Sequence, residues 1–294
     1  MIALLKLLLA PKDRVMGINR RNLQFVATRN ARRHFDIADD KLLAKQVLSA
    51  AGVPVSETLA TFSSFSELRL LDERIGSLDE FVVKPARGHG GQGILVIAGR
   101  DGEFFITAGG RRLRREELAR HIADIVFGVY ALDKADVAMV EPRLKPSRFF
   151  ADLYADGLSD VRVILVDDRP ALSMIRVPTK ASDGRANLHQ GALGLGLVLE
   201  DGTIHRAYCR GQLLTHHPDN GEALIGRKIP GWTELLAIAV KAARAVPLKY
   251  LGVDIVVDRA RGPLMLEINA RPGLEIQNVN GVPLRERLAS MGVA

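Results

Sequence analysis

The segment from Leu251 to Gly273 constrains this chain most. LGVDIVVD and PLMLEIN are two apolar runs separated by Asp-Arg-Ala-Arg-Gly, a turn composition, so the pair reads as a β-hairpin. Folding it back brings Asp254, Glu267 and Asn269 into one neighbourhood. All three offer oxygen atoms, the ligands a hard cation such as Mg²⁺ selects. Pro272-Gly273 then turns the chain away. A surface hairpin with solvated ends reads equally well from the same residues, so the decision lies upstream.

Upstream, Glu80-Phe81-Val82-Val83-Lys84-Pro85 is a β-branched strand with one lysine near its end, followed by Ala86-Arg87-Gly88-His89-Gly90-Gly91-Gln92-Gly93 and a second strand, Ile94–Ile97. A loop of this kind can set bare backbone N–H groups against phosphate oxygens, because glycine has no Cβ to hold the anion away. Lys84 adds a point charge beside it. No Gly-Lys-Ser/Thr follows and no helix opens, so neither a Walker loop nor a dinucleotide fingerprint fits. A plain glycine-rich hairpin tip is the other reading. Asp39-Asp40-Lys41 starts an amphipathic segment containing Leu42, Leu43, Val47 and Leu48, which the aspartates can cap and Gly52 ends. Lys41 alone reads as a solvated first-turn residue.

With these pieces in order, the chain resembles the ATP-grasp superfamily, and within it the RimK-like carboxylate–amine ligases, the alpha-L-glutamate ligase-related proteins. The resemblance runs from about Met16 to Gly273. It is densest at Met174-Ile175-Arg176 … Asp183-Gly184-Arg185-Ala186-Asn187-Leu188-His189-Gln190-Gly191 and at the Val-Asp … Leu-Glu-Ile-Asn-x-x-Pro-Gly-Leu run. It implies an α+β, ATP-grasp fold, with two lobes of mainly antiparallel sheet sandwiching ATP and a truncated N-terminal pre-ATP-grasp domain. The implied division is 1–52 as a short helical N-terminal segment, 53–141 as the first lobe with its glycine-rich flap, and 142–294 as the second lobe with the metal and substrate site.

The resemblance also implies roles. Lys41 and Lys84 match the lysines that hold the ATP phosphates, and Gly88, Gly90, Gly91 and Gly93 match the flap over them. In Ala138–Leu144, matching the hinge strand, Glu141 faces the adenine amino group and the Leu144 N–H reaches a ring nitrogen. Arg162 matches an arginine near the acyl-phosphate site, which Arg176, Arg185 and Asn187 also line. Asp254, Glu267 and Asn269 match the magnesium ligands, for two Mg²⁺ with Mn²⁺ as a substitute. Arg271 stands where relatives carry a small residue; it can bind an acidic substrate or pair with a metal-site carboxylate. His189 can move a proton at neutral pH or simply be hydrogen-bonded in its loop. Two departures stand out: only 40 residues precede Lys41, and Lys145–Phe150 hold no carboxylate for a ribose.

The implied chemistry joins a carboxylate to an amine, through an acyl phosphate made with ATP. The product is an amide or peptide bond, with glutamate or another amino acid added to a peptide, protein or small-molecule acceptor. A kinase that phosphorylates a hydroxyl and stops, and a non-catalytic ATP-binding regulatory module, are the competing readings. Retention of both lysines and all three metal-ligand candidates argues against the module.

Composition sets bounds around this. Hydrophobic content of 47% and charged content of 26% are those of a globular protein, and one cysteine, Cys209, excludes a disulfide framework and suits a reducing cytoplasm. Ile2–Ala10 is apolar but short and broken by Lys6, so it reads as an amphipathic helix rather than a membrane span or signal peptide. It makes a homodimer compatible with the sequence. The net charge of +7 gathers in Arg14–Arg33 and in Arg111-Arg112-Leu113-Arg114-Arg115, which reads as the opening of a helix. With 5% aromatics and no nucleic-acid motif, an acidic small molecule, amino acid or peptide explains that charge better than nucleic acid does. Val161–Val166 and Ala171–Val177 read as a hairpin about Asp167–Pro170, and Trp232–Val246 reads as a helix stopped by Pro247.

Overall fold

A computed structural model of the chain describes residues 15–88, 90–132 and 134–293. The apolar stretch Ile2–Ala10 and the loop residue His89 lie outside the described residues. Two antiparallel sheets carry the fold, in two compact units. One unit comprises Asp40–Leu42 and Ser56–Leu144; the other holds the described residues up to Asp39, Leu43–Val55 and Lys145 onward. Helix α1 (Lys41–Ala50) begins where the sequence places it, with the Asp40 carboxylate accepting from the Leu42 N–H at 2.9 Å.

In the smaller unit β1 (Ala60–Phe62), β2 (Phe81–Pro85), β3 (Leu95–Asp101), β4 (Phe104–Thr107), β5 (Arg112–Leu113) and β6 (Ala138–Pro142) form a sheet in the order β1-β6-β2-β3-β4-β5. Phe81, Val83, Ile97 and Val140 bury one face against Leu118, Ile122 and Ile125 of α2 (Arg115–Val126). Those three lie one helical turn apart, on one side of the helix. The arginine run opens this helix later than its composition suggests. Arg112 and Leu113 pair with Ile106 and Phe105, Leu113 is buried, and Arg114 takes the cap, its N–H donating to Glu117 at 2.9 Å.

The larger unit holds β7 (Asp160–Val166), β8 (Arg169–Val177), β9 (Leu193–Leu197), β10 (Ile204–Cys209), β11 (Gln212–Leu214), β12 (Tyr250–Asp258) and β13 (Gly262–Asn269). They run in the order β11-β10-β9-β8-β7-β12-β13, every neighbouring pair antiparallel. The β7–β8 turn is tighter than the sequence suggests. Asp167 and Asp168 alone make it, at φ 50° and 63°, and Pro170 already lies in β8 opposite Leu165, at a register shift. Aspartate tolerates the left-handed region, and a bulge tolerates the missing N–H of proline.

One face of this sheet is apolar along its length. Val161, Val163, Val177, Leu195, Val253 and Ile255 pack with Trp232, Leu235, Ala239 and Ala242 of α3 (Trp232–Ala245). The opposite face changes character part-way along its strands. At one end Ile164, Val166, Leu172, Met174 and Tyr250 pack under α4 (Glu275–Asn280) and α5 (Leu284–Ser290), with Met16, Phe25 and Val26. At the other end the same alternation presents Asp160, Arg162, Arg176 and Asp254. A strand repeats its facing every two residues, so this polar end belongs to the same face as the apolar one.

Candidate active site

Strand register assembles the polar cluster. Asp254 lies opposite Arg162 on one side and Glu267 on the other; Asp160 lies opposite Arg176; and Asn269 lies opposite Gly252, two residues before Asp254. Opposed residues in an antiparallel pair point to the same face. A register shift in β13 between Met265 and Glu267 keeps Glu267 and Asn269 on that face while Met265 turns into the core. Gly252 has a steric reason: a Cβ there would stand 2.7 Å from the Pro272 Cβ. Pro272 therefore closes over the strand beside Asn269.

The contacts form a chain of alternating charge. Arg162 grips Asp254 with two bonds, Nε to Oδ1 at 2.7 Å and Nη2 to Oδ2 at 2.6 Å. Arg176 grips Asp160 in the same way, with both bonds at 2.7 Å, and its Nη2 also donates to Asp254 Oδ2 at 2.7 Å. Asp254 is fully buried (0% exposed) and Asp160 nearly so. Both guanidiniums use their Nε–Nη2 edge for anchoring, and neither Nη1 has a partner among the described residues. Anchored this way, two cationic forks are held still with a donor group each to spare.

Burial dominates the titration of both aspartates. It pushes the Asp160 carboxyl up to about 6 against the pull of Arg176, with the Asp254 charge adding to the rise. At Asp254 burial also acts upward, but the Arg162 and Arg176 guanidiniums outweigh it and hold the carboxyl well below its usual range. A hydrogen bond with Glu267 acts in the same direction. Asp160 is the member the sequence reading passed over. Its signal was available: it stands two residues before Arg162, on the same face of one strand.

A resident Mg²⁺ can be tested against these donors. The Glu267 side chain is about one-third exposed, with its Oε1 3.9 Å from Arg162 and accepting from Asn269 Nδ2 at 3.3 Å. Asn269 Oδ1 has no partner among the described residues, and the Glu267 carboxylate also lies in hydrogen-bond contact with Asp254. Carboxylate and amide oxygens with free lone pairs fit a hard cation. Among the described residues, no group of three His, Cys, Asp or Glu side chains is set to hold a metal.

In the smaller unit, Lys84 and Glu141 meet. β2 and β6 pair, and Lys84 Nζ lies 2.8 Å from Glu141 Oε2, with both side chains buried. Lys41 donates through Nζ to the carbonyl of Gly88 at 2.7 Å, and its backbone N–H bonds Ala86 O at 3.0 Å, so it holds the root of the glycine loop. Within the loop Gly90, Gly91 and Gly93 have φ of 64°, 79° and 73°. A Cβ on Gly93 would strike the Tyr130 ring at 2.6 Å, and the Gly93 carbonyl contacts His121 Nε2 at 3.0 Å. Burial lowers the pKa of that histidine.

The remaining candidates have partners of their own. Arg185 is exposed, with Asp183 3.9 Å away, and Asn187 accepts from the His189 N–H at 3.0 Å, capping a short turn on which His189 is exposed. Arg271 stacks over Phe35 and lies 3.7 Å from Asp39, while its carbonyl and that of Pro272 accept from Arg21. Leu144 is half-buried. Cys209 is free and half-buried, its thiol 3.6 Å from Gly191 O.

Two antiparallel sheets, one with a lysine strand leading into a glycine hairpin and one with an acidic hairpin, are the parts of an ATP-grasp fold. The chain belongs to the sugar-transfer associated ATP-grasp family, whose model matches residues 20–292. It is similar to a probable alpha-L-glutamate ligase of Cellvibrio japonicus, 27% identical over 245 residues, covering 82% of this chain and 59% of that protein. It is also similar to the ribosomal protein bS6–L-glutamate ligase of Escherichia coli, 28% identical over 253 residues, covering 85% and 62%. The chain thus spans about three fifths of the length of these curated relatives. Among solved structures, the biotin carboxylase of Campylobacter jejuni, in a beta-gamma-ATP complex, shares the fold at a TM-score of 0.54 and 17% identity, covering 92% of this chain and 49% of that one. Among the described residues, no helix is long and apolar enough to cross a membrane.

Proposed function

We propose that this chain is an ATP-dependent carboxylate–amine ligase that makes an amide bond through an acyl phosphate. The observation that carries the reading is the pair of anchored arginines, each with a free Nη1, beside the oxygen edge of Glu267 and Asn269. In the first step a carboxylate oxygen bonds the γ-phosphorus of ATP as the bond to the β–γ bridging oxygen breaks, releasing ADP. An amine then bonds the acyl carbon, phosphate leaves with its oxygen, and the amine sheds a proton. Each step gathers negative charge, which fixed guanidiniums stabilise at no cost of reorganisation.

In this reading Arg162 and Arg176 face the acyl phosphate, while Arg185, Asn187, His189 and Arg271 serve the substrates. Lys41, Lys84 and the N–H groups of Gly88, Gly90, Gly91 and Gly93 hold the ATP phosphates, with Glu141 and the Leu144 N–H on the adenine. Magnesium, in one or two sites and replaceable by Mn²⁺, would bind at the Asp254–Glu267–Asn269 corner, where it would draw charge from the phosphoryl oxygens. Residues 53–141 and 142–294 are the two lobes of the enzyme, acting in the cytoplasm, and a homodimer is compatible with this. The relatives' names point to glutamate as the amino acid. The family's description points to an acceptor met in sugar transfer, such as an amino sugar or a sugar acid.

The test is nucleotide turnover with Mg²⁺ and pools of amino acids, peptides, amino sugars and sugar acids, with Glu267→Ala as control. ADP and free phosphate appearing with one pool, and absent in the control, is the expected result. A stable phosphorylated product without free phosphate would make the chain a kinase. ATP binding with no turnover in any pool would make it a binding module.

A further inference from the structure

We propose that Asp254 is the anchor of the two arginines and not a ligand of the metal, which Glu267 and Asn269 hold by themselves with water or substrate oxygens completing the shell. The inference rests on the reading of this corner as a magnesium site and narrows it. Three observations carry it. The first is occupancy of lone pairs. Asp254 Oδ2 accepts from two guanidiniums, at 2.6 and 2.7 Å, and Oδ1 accepts from Arg162 at 2.7 Å. Each oxygen of a carboxylate offers about two acceptor sites. Three of four are therefore filled by full cations.

The second is charge. Two positive groups stand within hydrogen-bond range of Asp254, so its surroundings repel a dication. Glu267 has its nearest cation at 3.9 Å. The third is access. Asp254 is 0% exposed and sits on a strand flanked on both sides, whereas β13 is the last strand of its sheet. Mg²⁺ sheds water reluctantly and usually keeps several waters, so it favours one or two protein oxygens at an open edge. Glu267 and Asn269 provide that edge.

Mn²⁺ alone, added without nucleotide to the full chain, is the probe. Electron-spin-echo spectra of the Mn²⁺-loaded protein carrying ¹³C in its glutamate carboxyls are expected to show strong first-sphere coupling. Protein with ¹³C in its aspartate carboxyls is expected to show none. This arm uses the native sequence, so no variant has to fold. In titration, Glu267→Gln is expected to weaken Mn²⁺ binding tenfold or more, and Asp254→Asn less than threefold. First-sphere coupling to aspartate, or a matching loss in folded Asp254→Asn, overturns the inference while leaving the metal site in place. Failure of the native protein to bind Mn²⁺ at all removes the metal reading, and this inference with it.

Discussion

Asp160 and Asp254 share Arg176 yet titrate in opposite directions, because two guanidiniums reach Asp254 and one reaches Asp160. The consequence for stability differs in sign. A carboxyl raised to about 6 binds its proton more tightly when folded. Its contribution is fully present below its ordinary value and is lost as pH rises through about 6. Asp254 has the reverse sign, and its contribution is lost only on acidification below the ordinary carboxylate range. Between pH 4.5 and 7.5 the stability gap between the native protein and Asp160→Asn therefore reports on Asp160. In urea unfolding that gap is expected to shrink with rising pH by at most about 3 kcal/mol. A flat gap would mean that Arg176 keeps Asp160 ionised throughout.

The hairpin of β12 and β13 was legible because its alternation, turn composition and acidic ends are local, and so were the lysine strand and the helix over Trp232–Ala245. What pairs with that hairpin was not. Arg162 and Asp254 meet across 92 residues, and nothing in one sequence states which strands become neighbours. The onset of α2 was misjudged for a related reason, since Leu113 is claimed by the edge of a sheet rather than by the helix beside it. Within the hairpin one local detail sets the geometry. Gly252 lets Pro272 close at 2.7 Å from where a Cβ would be, with the Asn269 Cβ 3.8 Å away. Gly252→Ala must push Pro272 aside, and the cost expected in urea unfolding is about 1–3 kcal/mol. Mn²⁺ affinity is expected to fall with it, because Asn269 moves. Gly262→Ala is the paired control: its φ is +73° with nothing within 4 Å, so it is strained but far from the site. Its expected cost is about 1–2 kcal/mol with Mn²⁺ affinity retained. Equal effects of the two on Mn²⁺ would show that the Pro272 contact does not position Asn269.

At the scale of the whole molecule, the proposed ligands of nucleotide and metal come from distant parts of the chain, Lys41, Lys84 and Glu141 early and Asp254 to Asn269 late. A ligand that binds the folded state and not the unfolded one stabilises it by mass action, by about 2.7 kcal/mol at a ligand concentration of 100 Kd. For a chain of this size that is a rise in Tm of about 4 °C. ADP with Mg²⁺ is expected to produce it in thermal unfolding. The net charge of +7 adds a salt dependence, so the rise should shrink between low and high ionic strength. Lys41→Met separates binding from folding. Lys41 is half-buried and its ammonium donates to the neutral loop carbonyls of Ala86 and Gly88, so its loss should lower the ligand-free Tm less than that of Lys84 while cutting the ADP-induced rise. Lys84→Met should lower both, because it leaves Glu141 buried without the lysine 2.8 Å away. A full ADP-induced rise in both variants would remove the lysines from the nucleotide site and, with them, the main reason to read the glycine hairpin as a phosphate loop.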